Sequence, residues 1–468
     1  MLLLLVAGSL LAATPADARL DNVVTQWINA TQYAVATTGA HNVPSSRWYA
    51  LTAFAIHNAV VTGAGKAPAA ALAAYAGHGI NSALFPWNQP ARYDTLIATQ
   101  LKNVSAADRK AAADIALPVA DKLLRKSAGG EFSRWPDFKP APEGTPFAYQ
   151  FVPNQTFAIY AQAKDATPWL LTYEEADQIA YNKDPNKGPV FEPSHDDYLA
   201  TVDLGRKDSL NRTQEQTDIA WFWSLAGNTT STSGIWLDIG REVLPDDFSI
   251  EDTALFYARA AAVNWDAQLV GWRIKYTTLH WRPTTAFRQG FPGFQPIPDW
   301  SPLIRVPSHP EYPSGHTISG GALAEVLRRQ LGRDDVPFSI ASDSTPWLGK
   351  RSFKSFSQAA EEGSISRLYG GVHFPSANND GLKVGEVVAA WVWDRVQPGQ
   401  PIKLQKPKHT WGWDKDSKDA KEANHGKDAA KDGKDGKSGK SAPSAAGQKP
   451  ATATSLRKPW LTVDLGRK

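Results

Sequence analysis

The longest run of helical periodicity, in the second half of the chain, constrains the fold most. Its apolar residues recur at three- and four-residue spacing, which places them on one face of a long helix. They are Leu255, Ala258, Ala262, Trp265, Leu269 and Trp272. Ser249, followed three residues later by Asp252, resembles a capping box at the start of this helix. A continuous apolar face indicates a helix that packs within a bundle.

Other segments carry the same periodicity. They predict helices over residues 23–36 and 47–61, from Thr213 onward, and over residues 316–331, 355–369 and 381–393. Residues 129–207 are rich in Pro, Gly and Asn, which predicts a long ordered loop with few regular elements. Because strand-like alternation is scarce, the sequence predicts an all-α fold of helical bundles joined by long ordered loops.

The N-terminus has the composition of an export signal. Residues 2–6 and 10–13 form a short apolar run, and Pro15 and the small-residue pattern Ala16-Asp17-Ala18 follow it. This pattern predicts a signal peptide over residues 1–18 and a secreted or periplasmic protein. No other stretch is long and apolar enough to predict a membrane helix. The chain has no cysteine, which excludes disulfides and thiolate metal sites.

The C-terminal segment differs from the rest of the chain. Residues 415–440 repeat Lys, Asp, Gly, Ala and Ser without apolar periodicity, so they cannot bury enough surface to fold. Interspersed aspartates dilute the positive charge, and no nucleic-acid partner is expected. We predict an N-terminal helical region over residues 19–212, a catalytic helical bundle over 213–398 and a disordered tail over 399–468.

Candidate functional residues occur on three segments of the second half. In the first, Lys275 lies near the end of the long helix and Arg282 follows two helical turns later, before Pro283. Proline disfavours helical backbone in the residue before it, so Arg282 is expected to leave the helix. Two cations directed at one place repel each other unless an anion lies between them.

The second segment is Tyr312-Pro313-Ser314-Gly315-His316. It predicts a turn at a helix N-terminus, where free N–H groups and the helix dipole favour an oxyanion. Gly315 allows the backbone to approach that anion closely, because glycine has no side chain. His316 adds a group that can donate or accept a proton near neutral pH.

The third segment contains Arg367 and His373, separated by Gly370 and Gly371. A guanidinium forms paired hydrogen bonds with a tetrahedral oxyanion, and an imidazole can bind a metal or act as a nucleophile. Each segment alone is a weak signal. Together, and in this order, they predict an oxyanion-binding site.

These residues resemble a known family. Lys275 to Pro283, Pro313 to His316 and Ser366 to His373 are similar to the three motifs of the superfamily of vanadium-dependent haloperoxidases and type 2 phosphatidic acid phosphatases. The flanking sequences are similar to the secreted bacterial haloperoxidase-like branch, at residues 212–216, 281–286, 309–312 and 369–374. Residues 55–60 are also similar to that branch, and we expect His57 within them to be a core residue.

The resemblance implies a role for each motif residue. His373 is similar to the axial ligand of vanadium, or to the nucleophile of the phosphatases. The oxygens of bound vanadate would be held by Lys275, Arg282, Ser314, Gly315 and Arg367. His316 is similar to the acid–base histidine, and Lys275 to the group that polarises peroxide. The implied cofactor is vanadate, and the implied substrates are hydrogen peroxide, a halide and a small organic acceptor.

One position departs from the family pattern. The superfamily usually has an aspartate four residues after the metal-binding histidine, and this chain has Ala377 there. Such a carboxylate fixes the orientation and basicity of the histidine. Its loss weakens the expectation for His373, unless Asn378 or Asp380 takes over the contact.

Two further residues bear on the choice of halide. His309 lies seven positions before His316, and resemblance to the algal bromoperoxidases implies a second active-site histidine at this position. Trp272, three positions before Lys275, instead resembles the residue of the chloroperoxidases. Chloride is harder to oxidise than bromide, so the sequence favours bromide oxidation. His309 as a cap of the loop before Pro310 is an alternative. For the whole protein, an acid phosphatase acting through a phosphohistidine and an inactive oxyanion-binding relative remain alternatives to a haloperoxidase.

Overall fold

The structure is a computed structural model that describes residues 21–128, 136–181 and 195–408. The predicted signal peptide and the predicted tail from residue 409 onward lie outside these residues. The described residues form fourteen α-helices and one short antiparallel hairpin. The helices are α1 (Val23–Thr38), α2 (Asn42–Gly63), α3 (Ala69–Leu84), α4 (Asp94–Gln100), α5 (Ala106–Ala128), α6 (Tyr173–Tyr181), α7 (His195–Leu204), α8 (Gln214–Phe222), α9 (Ser231–Val243), α10 (Ile250–Thr278), α11 (Pro283–Gln289), α12 (Gly315–Leu331), α13 (Phe356–Tyr369) and α14 (Pro375–Val392). The strands are β1 (Phe338–Ala341) and β2 (Lys350–Phe353). The prediction of an all-α fold is confirmed.

The predicted long helix is α10, which spans 29 residues. It is buried on nearly all sides rather than along one face, since α2, α12 and α14 pack around it. Alanines such as Ala258 and Ala262 let these helices approach closely. Half of the predicted capping box forms, because the Ser249 hydroxyl accepts from the backbone N–H of Asp252. The Asp252 carboxylate accepts from the Ser249 hydroxyl rather than from the Ser249 backbone N–H. Because α10 is buried, Lys275 in its last turn lies in the protein interior.

The N-terminal helices cover one side of α10. Helices α1 and α2 match the predicted segments, although α2 begins at Asn42 rather than at Arg47. Helix α2 packs on α3, α5 and α10, and the Asn42 side chain at its N-terminus lies 3.5 Å from His316 on α12. His57 is buried, and its Nε2 lies 3.0 Å from the carbonyl oxygen of Gln400. The prediction that His57 is a core residue is confirmed.

The segment predicted as a long loop is more regular than expected. Among its described residues it contains α6 and α7. Buried Asp266 on α10 accepts the backbone N–H groups of Trp169, Leu170 and Leu171 at 2.7, 2.9 and 2.8 Å. Such an anchor depends on a residue far away in the sequence, so local composition could not indicate it.

The helices of the second half follow their predicted caps closely. Ser314 and Gly332 flank α12, and Ser355 caps α13. Helix α14 instead begins at Pro375, so the predicted start at Gly381 was wrong. Gly381 lies inside the helix, where a Cβ atom would come within 1.9 Å of Thr317 Oγ1 on α12. This glycine therefore permits close helix packing and does not mark a helix end.

The first residues of the predicted tail are ordered. Asn58 exchanges two hydrogen bonds with the backbone of Ile402, and the N–H of Gln405 donates to the carbonyl of Trp169. Ile402 itself is only 8% exposed. The predicted disorder from residue 399 was therefore wrong for residues 399–408, because an apolar residue and paired amides fix them on the helices. Within the described ranges, no helix meets the length and apolarity of a membrane span.

Candidate functional site

The three cations predicted from the motifs are all buried, and the fold brings them to one place. Lys275 comes from the last turn of α10, Arg282 from the residue before α11, and Arg367 from the last turn of α13. Arg282 is close enough to the other two for its charge to lower their pKa values, a second effect after burial itself. A concentration of buried positive charge of this kind is unfavourable without a compensating anion.

Lys275 contacts the segment that carries the second motif. Its ammonium group donates to the carbonyls of Pro310 and Glu311, at 3.2 and 2.9 Å, and to that of Pro313. Burial, and then the charge of Arg282, hold the lysine pKa well below its usual range. The carbonyls orient the ammonium group without supplying a full negative charge.

Arg282 lies at the centre of the cluster. As the proline predicted, its backbone is extended, and α11 begins at the next residue. Its guanidinium donates to the carbonyls of His309 and Val372 at 3.0 and 2.7 Å. It also donates to His373 Nε2 at 3.1 Å and to His309 Nδ1 at 3.0 Å. Burial lowers the arginine pKa to about 10.

Two donors in the cluster have no hydrogen-bond partner among the described residues: Arg367 Nε and the hydroxyl of Ser314. Arg367 donates once, from Nη1 to the carbonyl of Trp223 at 3.3 Å, and burial lowers its pKa to about 9. Ser314 precedes the first turn of α12, as predicted. A Cβ atom on Gly315 would lie 3.0 Å from the Trp272 ring, so glycine allows the Trp272 ring to pack closely against this helix end. Buried donors without partners indicate a missing acceptor.

His316 lies in the first turn of α12, against α2 and the loop before α9. Its Nε2 donates to the carbonyl of Ser224 at 3.0 Å, and its Nδ1 accepts from the Asn42 side chain at 3.5 Å. Burial and the nearby charge of Arg367 lower the pKa of His316 well below its usual range. The imidazole is therefore neutral, with Nδ1 as its acceptor. Asn42 was not predicted, because no motif marks the start of α2.

His373 is held in a single tautomer by two partners of opposite character. Its Nδ1 lies 2.9 Å from Glu311 Oε1, and its Nε2 lies 3.1 Å from Arg282 Nη1. A carboxylate only accepts and a guanidinium only donates, so Nδ1 carries the proton and Nε2 carries the lone pair. Burial, followed by the charge of Arg282, keeps the pKa of His373 well below its usual range.

Glu311 supplies the carboxylate that Ala377 does not. Besides His373, it accepts the N–H of Phe374 at 3.0 Å and lies 3.3 Å from His280 Nδ1. Neither proposed substitute has this role, since Asp380 accepts from the Tyr312 hydroxyl at 2.9 Å and Asn378 continues α14. Glu311 was not predicted, although it lies three residues before Ser314, in a segment that already carried the family resemblance.

A cluster of rings borders the cations. The rings of Trp272 and His309, the two residues predicted to bear on halide choice, lie 5.1 Å apart, and His41 lies 5.6 and 5.3 Å from them. Burial and the charges of Lys275 and Arg282 lower the pKa of His41 to about 3. The Nδ1 atom of His41 is buried without a hydrogen-bond partner among the described residues. Because His41 comes from the residue before α2, sequence motifs gave no indication of it.

The charges of the site define what it can hold. Among the described residues, three buried basic side chains, Lys275, Arg282 and Arg367, lie with one buried carboxylate, Glu311, so basic groups outnumber acidic groups in the cluster. Together with the unpartnered Ser314 hydroxyl, this set fits a tetrahedral oxyanion such as vanadate or phosphate. Beside it, His373 presents a lone pair, and His316 can exchange a proton.

Comparisons with known proteins show what the sequence and the fold are similar to. Residues 254–399 match a family model described as the VCPO second helical-bundle domain. Among solved structures, the first bacterial vanadium-dependent iodoperoxidase is similar, with a TM-score of 0.66 and 21% identity, over 83% of this chain and 98% of that one. The holo-type bacterial vanadium-dependent chloroperoxidase has a TM-score of 0.57 and 14% identity, over 82% and 94%. Its apo-type structure has a TM-score of 0.55 and 14% identity, over 75% and 93%.

No curated protein sequence matches the chain significantly. The family model covers the segments that carry Lys275, Arg282, the Ser314–His316 turn, Arg367 and His373. Residues 254–399 are therefore similar to the VCPO second helical-bundle domain, and the described chain has the same fold as these vanadium-dependent haloperoxidase structures.

Proposed function

We propose that this protein is a vanadate-dependent haloperoxidase that oxidises bromide and iodide with hydrogen peroxide, with little turnover of chloride. The observation that carries the proposal is the excess of buried positive charge beside a neutral histidine whose Nε2 lone pair is fixed by Glu311. An inactive relative is less favoured, because the carboxylate contact missing at Ala377 is made by Glu311.

Different residues of the site would bind the oxygens and the metal of the cofactor. Lys275, Arg282 and Arg367 would neutralise the oxygens of vanadate, joined by the Ser314 hydroxyl and the Gly315 N–H. His373 would bind the metal through Nε2, which Arg282 contacts in this structure. Bound vanadate would supply a Lewis acid that activates peroxide without a change of oxidation state.

The remaining residues serve proton transfer and the halide. His316 has a neutral ring whose Nδ1 can accept a proton and return it, a role that needs no formal charge at rest. The rings of Trp272, His309 and His41 line the same region as Lys275, and burial keeps both histidines uncharged. The two histidines therefore add no positive charge of their own beside Lys275, which supports the less demanding oxidation of bromide and iodide.

Activity with and without orthovanadate tests this proposal. Purified protein is assayed for peroxide-dependent halogenation with iodide, bromide and chloride at matched concentrations, and for hydrolysis of p-nitrophenyl phosphate. His373→Ala serves as the site variant, and His78→Ala, a histidine of α3 paired with Asp94 at 2.7 Å, is the matched control. We expect vanadate-dependent bromide and iodide oxidation in the wild type and the control, and none in His373→Ala.

Other outcomes have defined meanings. Phosphatase turnover without halogenation would establish the acid phosphatase instead, since phosphate and vanadate share shape and charge. Chloride oxidation within a few-fold of bromide would refute the halide preference and leave the haloperoxidase assignment intact. We also propose that the protein is exported and loses residues 1–18, which N-terminal sequencing of the protein from its native source tests.

A further inference from the structure

An open groove lies on the outside of the catalytic bundle. It is bounded by residues 152–155, Lys207, Thr284, Arg288 and residues 301–306, and its volume is about 470 Å³. We call it the cationic groove. This volume lies in the range of sites that bind small organic molecules.

The groove carries positive charge without a matching negative charge. Its charged lining residues are Lys207, Arg288 and Arg305, and its described lining contains no Asp or Glu. The nearby carboxylates of Asp208 and Asp299 are taken by Arg206, at 2.6 and 2.9 Å. Arg288 uses its Nε to donate to the carbonyl of Trp300 at 2.7 Å, which holds its guanidinium in place. An anion is the complementary ligand.

The floor of the groove is apolar, which distinguishes it from a surface patch of cations. Val152, Pro302, Ile304 and Val306 line it. These segments are fixed by hydrogen bonds, because the Gln155 side chain donates to the carbonyl of Val306 at 3.0 Å. A simple inorganic anion would leave this surface uncovered, whereas an organic anion with an apolar body would bury it.

A second observation points to a ligand. The Thr284 side chain lines the groove, is only 2% exposed, and its hydroxyl has no hydrogen-bond partner among the described residues. A buried hydroxyl without a partner is unfavourable, and native structures contain few of them. A polar atom of a bound molecule would satisfy it.

The groove shares its wall with the catalytic site. Thr284 lies two residues after Arg282, in the first turn of α11. Ile304 donates its N–H to the carbonyl of Gly370 at 3.1 Å, in the turn that leads to His373. A molecule in the groove therefore lies against the segments that position Arg282 and His373.

We propose that the cationic groove binds an organic anion with an apolar body, such as an aromatic carboxylate, and holds it next to the catalytic site. The carboxylate meets the charges of Arg288 and Arg305, and the apolar body covers Pro302 and Val306. Binding itself does not depend on the proposed function. Only the role of the bound molecule as the acceptor of oxidised halogen rests on it.

Binding of naphthoate, followed by its fluorescence without vanadate or peroxide, tests the proposal. The double variant R288Q/R305Q removes two groove charges, and R329Q/R333Q removes two charges from the C-terminal end of α12 as a matched control. We expect about ten-fold weaker binding in the groove variant. The control is expected to bind like the wild type. The uncharged analogue naphthamide is expected to bind more weakly than naphthoate, and added salt to weaken naphthoate binding.

Thr284→Val supplies an independent measurement. It keeps the shape of the side chain and removes the hydroxyl, so we expect weaker naphthoate binding with an unchanged or higher Tm. Equal affinity of the wild type and R288Q/R305Q would overturn the proposal. So would displacement of naphthoate by low concentrations of phosphate, which would place it among Lys275, Arg282 and Arg367. Because no readout uses turnover, these results stand whether or not halogenation is found.

Discussion

Glu311→Gln tests how the site activates its histidine. The Glu311 carboxylate accepts from His373 Nδ1 at 2.9 Å and from the Phe374 N–H at 3.0 Å, and it lies 3.3 Å from His280 Nδ1. Glutamine has nearly the same shape, but it is neutral and turns one acceptor into a donor. The bond to His373 loses its charge assistance, which accounts for roughly half of its strength.

The expected magnitude follows from this loss. Removing a partner that orients a metal-binding histidine weakens metal affinity about 10- to 100-fold, or about 1.4–2.8 kcal/mol. An anion that makes no bond to His373 should respond in the opposite direction. The charge of Glu311 opposes those of Lys275 and Arg282, so its neutralisation increases the attraction for a purely electrostatic ligand.

Equilibrium titrations with vanadate and with sulfate separate the two effects. Glu311→Gln should bind vanadate more weakly and sulfate equally or more tightly. Glu325→Gln, which removes a carboxylate paired with Arg328 and Arg329 on α12, should leave both affinities unchanged. A parallel change of both affinities in Glu311→Gln would refute the orienting role of Glu311, since charge or folding alone would then explain the result.

Three more outcomes are expected. His373→Ala should lose tight vanadate binding, whereas His316→Ala should keep vanadate and lose turnover; equal affinities measured by equilibrium dialysis would contradict these roles. Asp266→Ala should lower the free energy of unfolding by about 3–6 kcal/mol, because three buried N–H groups lose their acceptor, and a change below about 1 kcal/mol in urea denaturation would show that water replaces the carboxylate. A chain ending at Lys408 should keep the Tm of the full chain, since residues 415–440 of the deleted part repeat Lys, Asp, Gly, Ala and Ser, whereas a chain ending at Gly399 should unfold at a lower temperature.

Local chemistry made part of this structure predictable. Helix starts at Thr213 and Ser355 follow from side chains that cap the next turn, an interaction within three residues. The cations and histidines of the three motifs were also identified, because each motif is a short continuous segment whose residue spacing can be read directly from the sequence. The error at Gly381 has the opposite origin, since its role is set by contact with Thr317 on another helix.

The residues missed in the site were missed for a physical reason. Glu311 contacts His373 only because the segment before α12 folds against the start of α14, and His41 reaches Trp272 only because α2 packs across α10. Neither contact leaves a periodicity or a spacing in the sequence. The carboxylate that orients His373 is therefore not lost with Ala377, because Glu311 supplies it from a different segment of the chain.

The contribution of α2 to the site has a consequence for maturation of the protein. Chains are synthesised from the N-terminus, so His41 and Asn42 are present long before His373 is added. The pocket closes only when α12 and α14 have docked, because Asn42 contacts His316 and the backbone N–H of Ser314 donates to the carbonyl of Ala377. Oxyanion capture is thus a late event, and a bound oxyanion favours the completed chain over every partly folded one.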